Sequence, residues 1–301
     1  MKLLLNGCTG FIGKELIKKL KAEDYSLIVL SRNPDKNKPL EDKNIEVLYW
    51  DSLNPLPISL LEESNAVINL AGEPIVNKRW SNHQKKLLKE SRINTTKNLV
   101  KAISMSSKKP AVLINASAVG YYGNIEDEIV TETSKKGIGF LANLCEQWEK
   151  EALQAESFGV RVVILRTGIV LEKGGGALSK MLLPFKLFTG GPLGSGKQWF
   201  PWIHRDDVIN IILYSLQNKD TTGPLNVTAP NPVTMNNFCK TLGHVLSRPS
   251  WMPVPALALK LLLGEMSELL LNGQNVIPER ALQLGYKFKY PLLEDTLRKM
   301  L

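Results

Sequence analysis

The chain opens with the stretch LLLNGCTGFIG at residues 3–13, in which Gly7, Gly10 and Gly13 follow an apolar run and begin a helical pattern. This GxxGxxG spacing indicates a dinucleotide loop, because Gly7 permits a tight turn, Gly10 lets the backbone approach a pyrophosphate and Gly13 lets the helix lie close to the strand. Glycine triplets also occur in ordinary turns, but this one lies at the first strand-to-helix junction. We expect Thr9 to cap the helix, whose N-terminal amides attract negative charge. The expected cofactor contacts in this loop are Gly7, Thr9, Gly10, Phe11, Ile12 and Gly13.

The second apolar run, residues 27–30, ends in Ser31 and Arg32, where an NAD-specific site usually offers a carboxylate to the ribose. The guanidinium of Arg32 suits the extra phosphate of NADP(H) instead, and Ser31 can donate a hydrogen bond to it. The alternative is a solvated arginine in a turn. Asp51, after the third strand, either accepts from the adenine amino group or serves as a turn residue. We therefore predict NADP(H) as the cofactor.

Short apolar runs alternate with helical patterns as far as Arg166, and two of the helical patterns cover residues 81–103 and 140–155. This alternation predicts an α/β fold of the Rossmann type, a doubly wound parallel sheet with helices on both faces. Beyond Arg166 the sequence becomes rich in glycine and proline, and from Trp251 it is largely helical. We expect an NADP(H)-binding domain over residues 1–230, which includes parts of a substrate lobe from about residue 167. A smaller, largely helical C-terminal domain is expected over residues 250–301.

Composition excludes several classes of protein. The 301 residues are 44% apolar and 22% charged, which is typical of a globular chain with a sizeable core. No apolar stretch reaches the roughly 20 residues of a membrane helix, and the N-terminus lacks a signal-peptide core, so we expect a cytoplasmic protein without a membrane partner. The net charge of +9 is spread along the chain without a nucleic-acid motif, so no nucleic acid is expected. The three cysteines and three histidines lack disulfide or metal spacing, and we predict no metal.

Several motifs together resemble the YfcH-like epimerase family, a group of atypical extended short-chain dehydrogenases/reductases. They are GCTGFIG (7–13), NLAGEPI (69–75), KRW (78–80), SR (91–92), SAVGYYG (117–123), LRTGIVL (165–171) and WIHRDDV (202–208). The stretches at 253–271 and 275–291 are similar to the small domain of unknown function that ends those proteins. The resemblance covers essentially the whole chain.

The resemblance implies an extended Rossmann fold with bound NADP(H), contacted by Leu70, Ala71, Arg92 and Val170. The residues agree in part: Ala71 and Gly72 permit the close backbone approach that a cofactor ribose needs. The guanidinium of Arg92 suits a phosphate, although it also suits a surface ion pair with a carboxylate such as that of Glu90.

The catalytic pattern of short-chain dehydrogenases is incomplete. Such enzymes carry a serine or threonine on the fifth strand and Tyr-x-x-x-Lys on the next helix, where lysine lowers the tyrosine pKa. Ser117 is present, but Phe140 and Leu144 occupy the other two positions and, with Trp148, predict a packed apolar face. Tyr121 and Tyr122 are the candidate substitutes; without an adjacent cation their pKa should stay near about 10.

Other residues have both a functional and a structural interpretation. The acidic run 126–128 is a solvated turn or part of a lid, and Cys145 is most simply a buried thiol. His204 is explained by packing and by a helix cap at Asp206. The loops 174–176 and 193–196, with Trp199 and Trp202, form either a mobile cover or tight turns with core aromatics. Cys8 is expected beside the pyrophosphate, where its oxidation would hinder binding.

Two functions follow from these residues. The first is an NADP(H)-dependent oxidoreductase, or a related epimerase-like enzyme, acting on a small substrate that the sequence does not identify. The second is a non-catalytic NADP(H)-binding sensor or regulatory module, because the catalytic dyad is missing. Monomer and homodimer both remain open.

Overall fold

The computed structural model describes residues 1–125 and 127–301. Its strands are β1 (Lys2–Asn6), β2 (Ser26–Ser31), β3 (Ile45–Tyr49), β4 (Ala66–Asn69), β5 (Val112–Ala118), β6 (Ile129–Val130), β7 (Arg161–Thr167), β8 (Ile169–Glu172), β9 (Trp199–Phe200), β10 (Trp202–His204), β11 (Gly223–Val227), β12 (Val233–Thr234) and β13 (Asn275–Val276).

Helices connect these strands. They are α1 (Gly13–Ala22), α2 (Pro34–Asn37), α3 (Ile58–Glu62), α4 (Asn82–Met105), α5 (Phe140–Leu153), α6 (Gly176–Lys186), α7 (Arg205–Gln217), α8 (Met235–Leu246), α9 (Ala256–Leu263), α10 (Glu268–Leu271), α11 (Glu279–Gln283) and α12 (Leu293–Met300). Short 3-10 helices add Lys38–Leu40, Val119–Tyr122, Gln154–Phe158 and Gly264–Ser267.

The central sheet contains seven parallel strands in the order β11-β7-β5-β4-β1-β2-β3. β1 pairs with β2 on one side and with β4 on the other, so the strand order reverses at β1. In open α/β sheets, ligands bind outside the carboxyl ends of the strands at such a switch point. The predicted Rossmann-type fold is therefore confirmed, and the glycine loop that follows β1 lies at the switch point.

Successive side chains of β1 pack on opposite faces of the sheet, as the period of two for a strand requires. Leu3 and Leu5 join the apolar cluster that contains the buried residues of α1 and α7. Leu4 joins the cluster on the other face, which contains Leu99 and Ile103 of α4. The continuous LLL run is thus explained by a strand buried on both faces.

A smaller lobe lies beyond β7. Its core combines β8, β9 and β10 with α6, α8 and α12, around residues such as Phe185, Trp202 and Phe238. β13 of the C-terminal part pairs with β6 of the first part. The C-terminal part is largely helical, as predicted. The boundaries 1–230 and 250–301 remain a prediction.

None of the helices in the described ranges 1–125 and 127–301 has the length and apolar character needed to cross a membrane.

Candidate functional site

The glycine loop is held by two close backbone approaches. Gly7 has a φ of 72°, and a Cβ atom there would lie 2.4 Å from the backbone nitrogen of Ala71. A Cβ on Gly13 would lie 2.2 Å from the Cα of Cys8. Gly10 differs, because it is exposed and the nearest atom to its Cβ position would be the Gly7 carbonyl oxygen at 3.8 Å. The protein therefore requires glycine at positions 7 and 13 for its own packing, whereas Gly10 faces open space.

The start of α1 corrects one prediction. The helix begins at Gly13 with Ile12 as its N-cap, and no side chain in the described part of the chain caps it. The expected cap by Thr9 is wrong, because Thr9 precedes the helix by four residues. The first N–H groups of a helix have no partner within the helix. The Lys14 N–H donates to the Gly10 carbonyl oxygen at 3.0 Å, and the other N–H groups at this end of α1 can bind an anion.

Phe11 and Val170 meet the loop at residues 174–176. A Cβ on Gly175 would lie 2.6 Å from the Phe11 ring, and one on Gly176 would lie 2.9 Å from the Val170 carbonyl oxygen. The guanidinium of Arg205 is 5.4 Å from the centre of the Phe11 ring. The glycine-rich loop predicted as a cover is therefore packed directly against the loop that follows β1.

Ser31 and Arg32 lie at the carboxyl end of β2. The Ser31 side chain is buried, and its oxygen accepts hydrogen bonds from the Asn33 backbone N–H and the Asn37 amide, both at 3.0 Å. The Ser31 hydroxyl hydrogen is still available to a ligand. Arg32 is exposed. Position and charge are those expected of a group that meets a phosphate on the adenosine ribose.

Asp51 organises a turn, which is the second of the two interpretations above. Its carboxylate accepts from the backbone N–H of Leu53 at 2.9 Å and of Asn54 at 3.2 Å. These backbone hydrogen bonds lower the pKa of Asp51 from its ordinary value. Whether the same carboxylate also meets an adenine remains a prediction.

Arg92 connects α4 to the loop that follows β4. It donates hydrogen bonds to the carbonyl oxygens of Leu88 and Glu73, both at 3.0 Å, and burial lowers its pKa. A Cβ on Gly72 would lie 3.0 Å from the Arg92 guanidinium carbon. The alternative of a surface pair with Glu90 is wrong, since Glu90 pairs with Lys86 instead. Arg92 thus supports the loop that contains Leu70 and Ala71.

Ser117 belongs to a buried charged cluster at the end of β5. Its hydroxyl donates to the Glu149 carboxylate at 2.6 Å. Arg166 binds the same carboxylate through Nε at 3.0 Å and Nη2 at 2.8 Å, and the two charged side chains are only 4% and 5% exposed. Burial opposes the charge on Arg166, but its hydrogen bonds with Glu149 raise its pKa overall. The hydroxyl hydrogen of Ser117 is thus directed inward, and its lone pairs are left to accept.

The two candidate tyrosines differ in position. Tyr122 is fully buried, accepts a hydrogen bond from Arg166 at 3.0 Å and donates to Asn226 at 2.6 Å. Burial raises the pKa of Tyr122 to about 12. The hydroxyl hydrogen of Tyr122 is thus directed to Asn226, whereas proton exchange with a ligand would require it. Tyr121 is half-buried, and its ring centre lies 3.6 Å from the Arg166 guanidinium. The expectation that both phenols lack a neighbouring cation is therefore wrong.

The positions of the missing dyad are packed. Phe140 begins α5 and contacts Trp80 edge to face at 5.4 Å, while Leu144 and Trp148 are buried. The predicted apolar face is confirmed. Cys145 is also buried, and burial raises its pKa to about 11, as expected of a structural thiol.

Cys8 and His204 require corrections. Cys8, expected beside the pyrophosphate and accessible to oxidation, is fully buried in the core, and burial raises its pKa to about 12. The ring of His204 stacks on Tyr290 at 3.8 Å, which confirms that it is packed. The cap of α7, however, is His204 itself, because its Nδ1 accepts from the backbone N–H of Asp206 at 3.0 Å.

The remaining candidates have structural positions. The turn at residues 193–196 is packed against α10 and α8, since Cβ atoms on Gly194 and Gly196 would clash with Leu271 and Asn236. Trp202 is fully buried, which favours the core interpretation. Asp127 and Glu128 are exposed, and Glu126 lies outside the described residues. Within residues 1–125 and 127–301, no group of three or more His, Cys, Asp or Glu side chains is arranged to hold a metal ion.

Sequence reasoning missed the pair formed by Glu149 and Arg166. A signal was present: helical spacing places Glu149 on the same face of α5 as Ala142, Cys145 and Ala152, and Arg166 ends the otherwise apolar run VVIL. Charged side chains are almost never fully buried unless they are paired. A glutamate and an arginine that both lie on apolar faces are therefore expected to form a buried ion pair with each other.

The fold and the glycine loop define the class of this protein: it is a Rossmann-type protein with the extended short-chain dehydrogenase/reductase architecture. The sequence model described as the NAD dependent epimerase/dehydratase family matches residues 3–228. A domain of unknown function, DUF1731, matches residues 254–300. The chain belongs to the NAD dependent epimerase/dehydratase family, and the resemblance found in its motifs is confirmed.

Three relatives illustrate the similarity. The chloroplastic epimerase family protein SDR39U1 homolog of Arabidopsis thaliana is 45% identical, over 100% of this chain and 87% of the relative. Epimerase family protein YfhF of Bacillus subtilis is 40% identical, over 100% of this chain and 98% of the relative. The crystal structure of human epimerase family protein SDR39U1 with NADPH is 35% identical, covers 100% of this chain and 99% of that chain, and has a TM-score of 0.88.

Proposed function

We propose that this protein binds NADP(H) at the carboxyl end of β1 and acts as an oxidoreductase or epimerase-like enzyme on a small substrate. The observation that carries the proposal is the glycine loop, in which Gly7 and Gly13 are required for packing while Gly10 faces open space. A cofactor pyrophosphate suits that space, next to the N-terminus of α1. The human relative crystallised with NADPH supports the same choice of cofactor. We further propose a cytoplasmic location.

The other cofactor contacts follow from the sheet. Arg32 and the hydroxyl of Ser31 would hold the ribose phosphate, since a guanidinium and a phosphate form strong charge-assisted hydrogen bonds. Leu70, Ala71 and Gly72 would lie along the ribose on the nicotinamide side, on the loop that Arg92 supports. Val170 and Phe11 would close the other side of the pocket.

Ser117 and Tyr121 are the proposed catalytic residues. The bound nicotinamide supplies or accepts a hydride. Ser117 directs its hydrogen to Glu149, so its oxygen can accept a hydrogen bond from a substrate hydroxyl. Tyr121 is half-buried in the same loop and can donate from its phenol to a substrate oxygen. Arg166 lies against the Tyr121 ring and fixes its orientation.

A second function is favoured by one observation. Phe140 and Leu144 are packed against Trp80 and Leu88, and the resemblance assigns these two positions to the tyrosine and lysine of related enzymes. A protein that binds NADP(H) as a sensor or regulatory module needs no proton donor there.

Calorimetric titration with NADPH and NADH tests the cofactor. We expect NADPH to bind more tightly than NADH. Arg32→Ala should raise the Kd of NADPH by about 10-fold to 100-fold, because the variant loses hydrogen bonds to a charged phosphate. NADH affinity should change little. Lys43→Ala is the matched control, because Lys43 is exposed and lies just before β3, at the amino end of the strand, whereas Arg32 lies at the carboxyl end of β2. If neither nucleotide binds the wild-type protein, the proposal fails.

Turnover separates the enzyme from the sensor. NADPH oxidation is followed with a panel of small aldehydes and ketones, using the wild-type protein and the Tyr121→Phe and Ser117→Ala variants. Turnover that both substitutions reduce, with NADPH affinity unchanged, supports the catalytic assignment. Turnover that neither substitution changes would remove both residues from the mechanism. Tight NADPH binding without turnover of any carbonyl favours the sensor.

A further inference from the structure

An exposed apolar surface lies at the end of α6, away from the glycine loop. It consists of Leu183, Leu187, Phe188 and Trp251, which are 60%, 62%, 54% and 64% exposed. We call this set the apolar ridge. Single exposed apolar residues are ordinary on a protein surface, whereas a cluster that contains two aromatic rings marks an interaction site.

The members of the apolar ridge are connected to one another. Leu183 and Leu187 are four residues apart on α6 and its C-cap, so they share a face. Trp251 donates from its indole nitrogen to the Phe188 carbonyl oxygen at 3.1 Å, and its backbone N–H donates to Gly190 at 3.1 Å. These bonds hold the segment around Trp251 beside the end of the helix.

Phe188 has an unusual backbone. It follows the C-cap of α6 with a φ of 61°, a left-handed conformation that favours glycine and is strained for a bulky side chain. Burial does not compensate for this strain, because half of the ring is exposed. Folding stability therefore gives little reason for a phenyl ring at this position beyond its contact with the Arg248 guanidinium.

The charged side chains on the segments that form the ridge are all cations. Lys180 and Lys186 are exposed on α6, and the guanidinium of Arg248 lies 4.5 Å from the centre of the Phe188 ring. Residues 173–204 and 221–264 contain no aspartate or glutamate. In a dimer formed through the ridge, these cations of one copy would face the same cations of the other copy. An anionic lipid surface instead offers an apolar layer in which the rings can insert and negative headgroups that the cations can contact.

We propose that the apolar ridge docks this protein on an anionic lipid surface, with Phe188 and Trp251 entering the headgroup layer and Lys180, Lys186 and Arg248 contacting phosphates. Such binding requires no spanning helix. The proposal departs from the expectation of no membrane partner and is independent of the cofactor site.

Vesicle co-sedimentation tests the proposal. The full-length protein is mixed with vesicles of phosphatidylcholine alone, or of phosphatidylcholine with an equal amount of phosphatidylglycerol. We expect the protein to bind only the vesicles that contain phosphatidylglycerol, and we expect added salt to weaken this binding. The Lys180→Glu/Lys186→Glu variant should bind at least about 20-fold more weakly, since each cation near such a surface is worth about fivefold. Lys43→Glu/Lys219→Glu has the same net charge with both changes outside the ridge, and it should bind within about threefold of the wild-type protein.

Phe188→Gly separates docking from folding. Glycine relieves the left-handed strain, so the thermal midpoint should be equal or higher, while vesicle affinity falls at least about fivefold through loss of the inserted ring. No binding to the anionic vesicles would overturn the proposal. So would equal losses in the Lys43→Glu/Lys219→Glu control, or a dimer in sedimentation equilibrium that Phe188→Gly converts to monomer, because the second copy would then be the occupant.

Discussion

Replacing Glu149 by alanine should strongly destabilise the fold. The substitution removes the acceptor for two Arg166 hydrogen bonds and for the Ser117 hydroxyl, in a site where both charged side chains are about 95% buried. Removing one partner of a buried ion pair leaves the other charge without compensation, which costs about 3–5 kcal/mol. We expect a loss of that size in the free energy of unfolding, measured by urea titration with far-UV circular dichroism.

Three further variants make this test specific. Glu90→Ala breaks the exposed pair with Lys86 and should change the free energy of unfolding by less than about 0.5 kcal/mol. Glu149→Gln keeps the shape of the side chain and one acceptor oxygen, so its free energy of unfolding should fall by less than that of Glu149→Ala. The double variant Glu149→Leu/Arg166→Met removes both charges and should also recover part of the loss. A loss below about 1 kcal/mol for Glu149→Ala would refute the view that this pair is a buried, mutually dependent unit.

The remaining predictions concern the glycine loop, a histidine and the thiols. Gly13→Ala should destabilise the protein by about 3 kcal/mol or more in urea titration, because its Cβ would lie 2.2 Å from the Cα of Cys8. Gly10→Ala should leave that stability unchanged and weaken NADPH binding in calorimetry. The pKa of His204 is lowered, chiefly by burial, so its contribution to stability should be complete above its ordinary pKa of 6.5 and decline as the pH falls below it. His204→Asn, which retains a capping side chain, should show a smaller decrease in thermal midpoint between neutral pH and about pH 5. Finally, native protein should not react with dithionitrobenzoate, because all three cysteines are buried, whereas denatured protein should release three equivalents.

Each of these has a contrary outcome. Equal unfolding midpoints for the Gly13 and Gly10 variants would contradict the steric argument, which rests on the different space at the two positions. A thermal midpoint that depends on pH equally in the wild-type protein and in His204→Asn would assign the dependence to other groups. Rapid reaction of one native thiol would show that the region around it opens.

Much of the fold followed from local patterns. The expected helix at residues 81–103 is α4, which begins at Asn82 after the Ser81 cap. The expected helix at residues 140–155 is α5, continued by a short 3-10 helix. Periodicity predicts such elements because a strand or a helix must bury a regular face.

Predictions about individual side chains were less successful, for a physical reason. The cap by Thr9, the alternative pairing of Arg92 with Glu90 and the expected reactivity of Cys8 beside the pyrophosphate were all inferred from neighbours in the sequence. The actual partners lie elsewhere: Arg92 donates to Glu73, 19 residues away. A flexible charged side chain can reach several partners, some near it in the sequence and some far from it. The packing of the fold decides which of them it meets.

The sequence alone determined the Rossmann sheet, the glycine loop and the apolar face of Phe140, Leu144 and Trp148, because these depend on spacing and residue type over short stretches. The tertiary structure decided which groups meet at the end of β5. Ser117 meets Glu149 across 32 residues, and Arg166 meets Tyr122 across 44. Those contacts exist because β5, β7 and α5 are brought together by the sheet order, a long-range arrangement that no local pattern specifies.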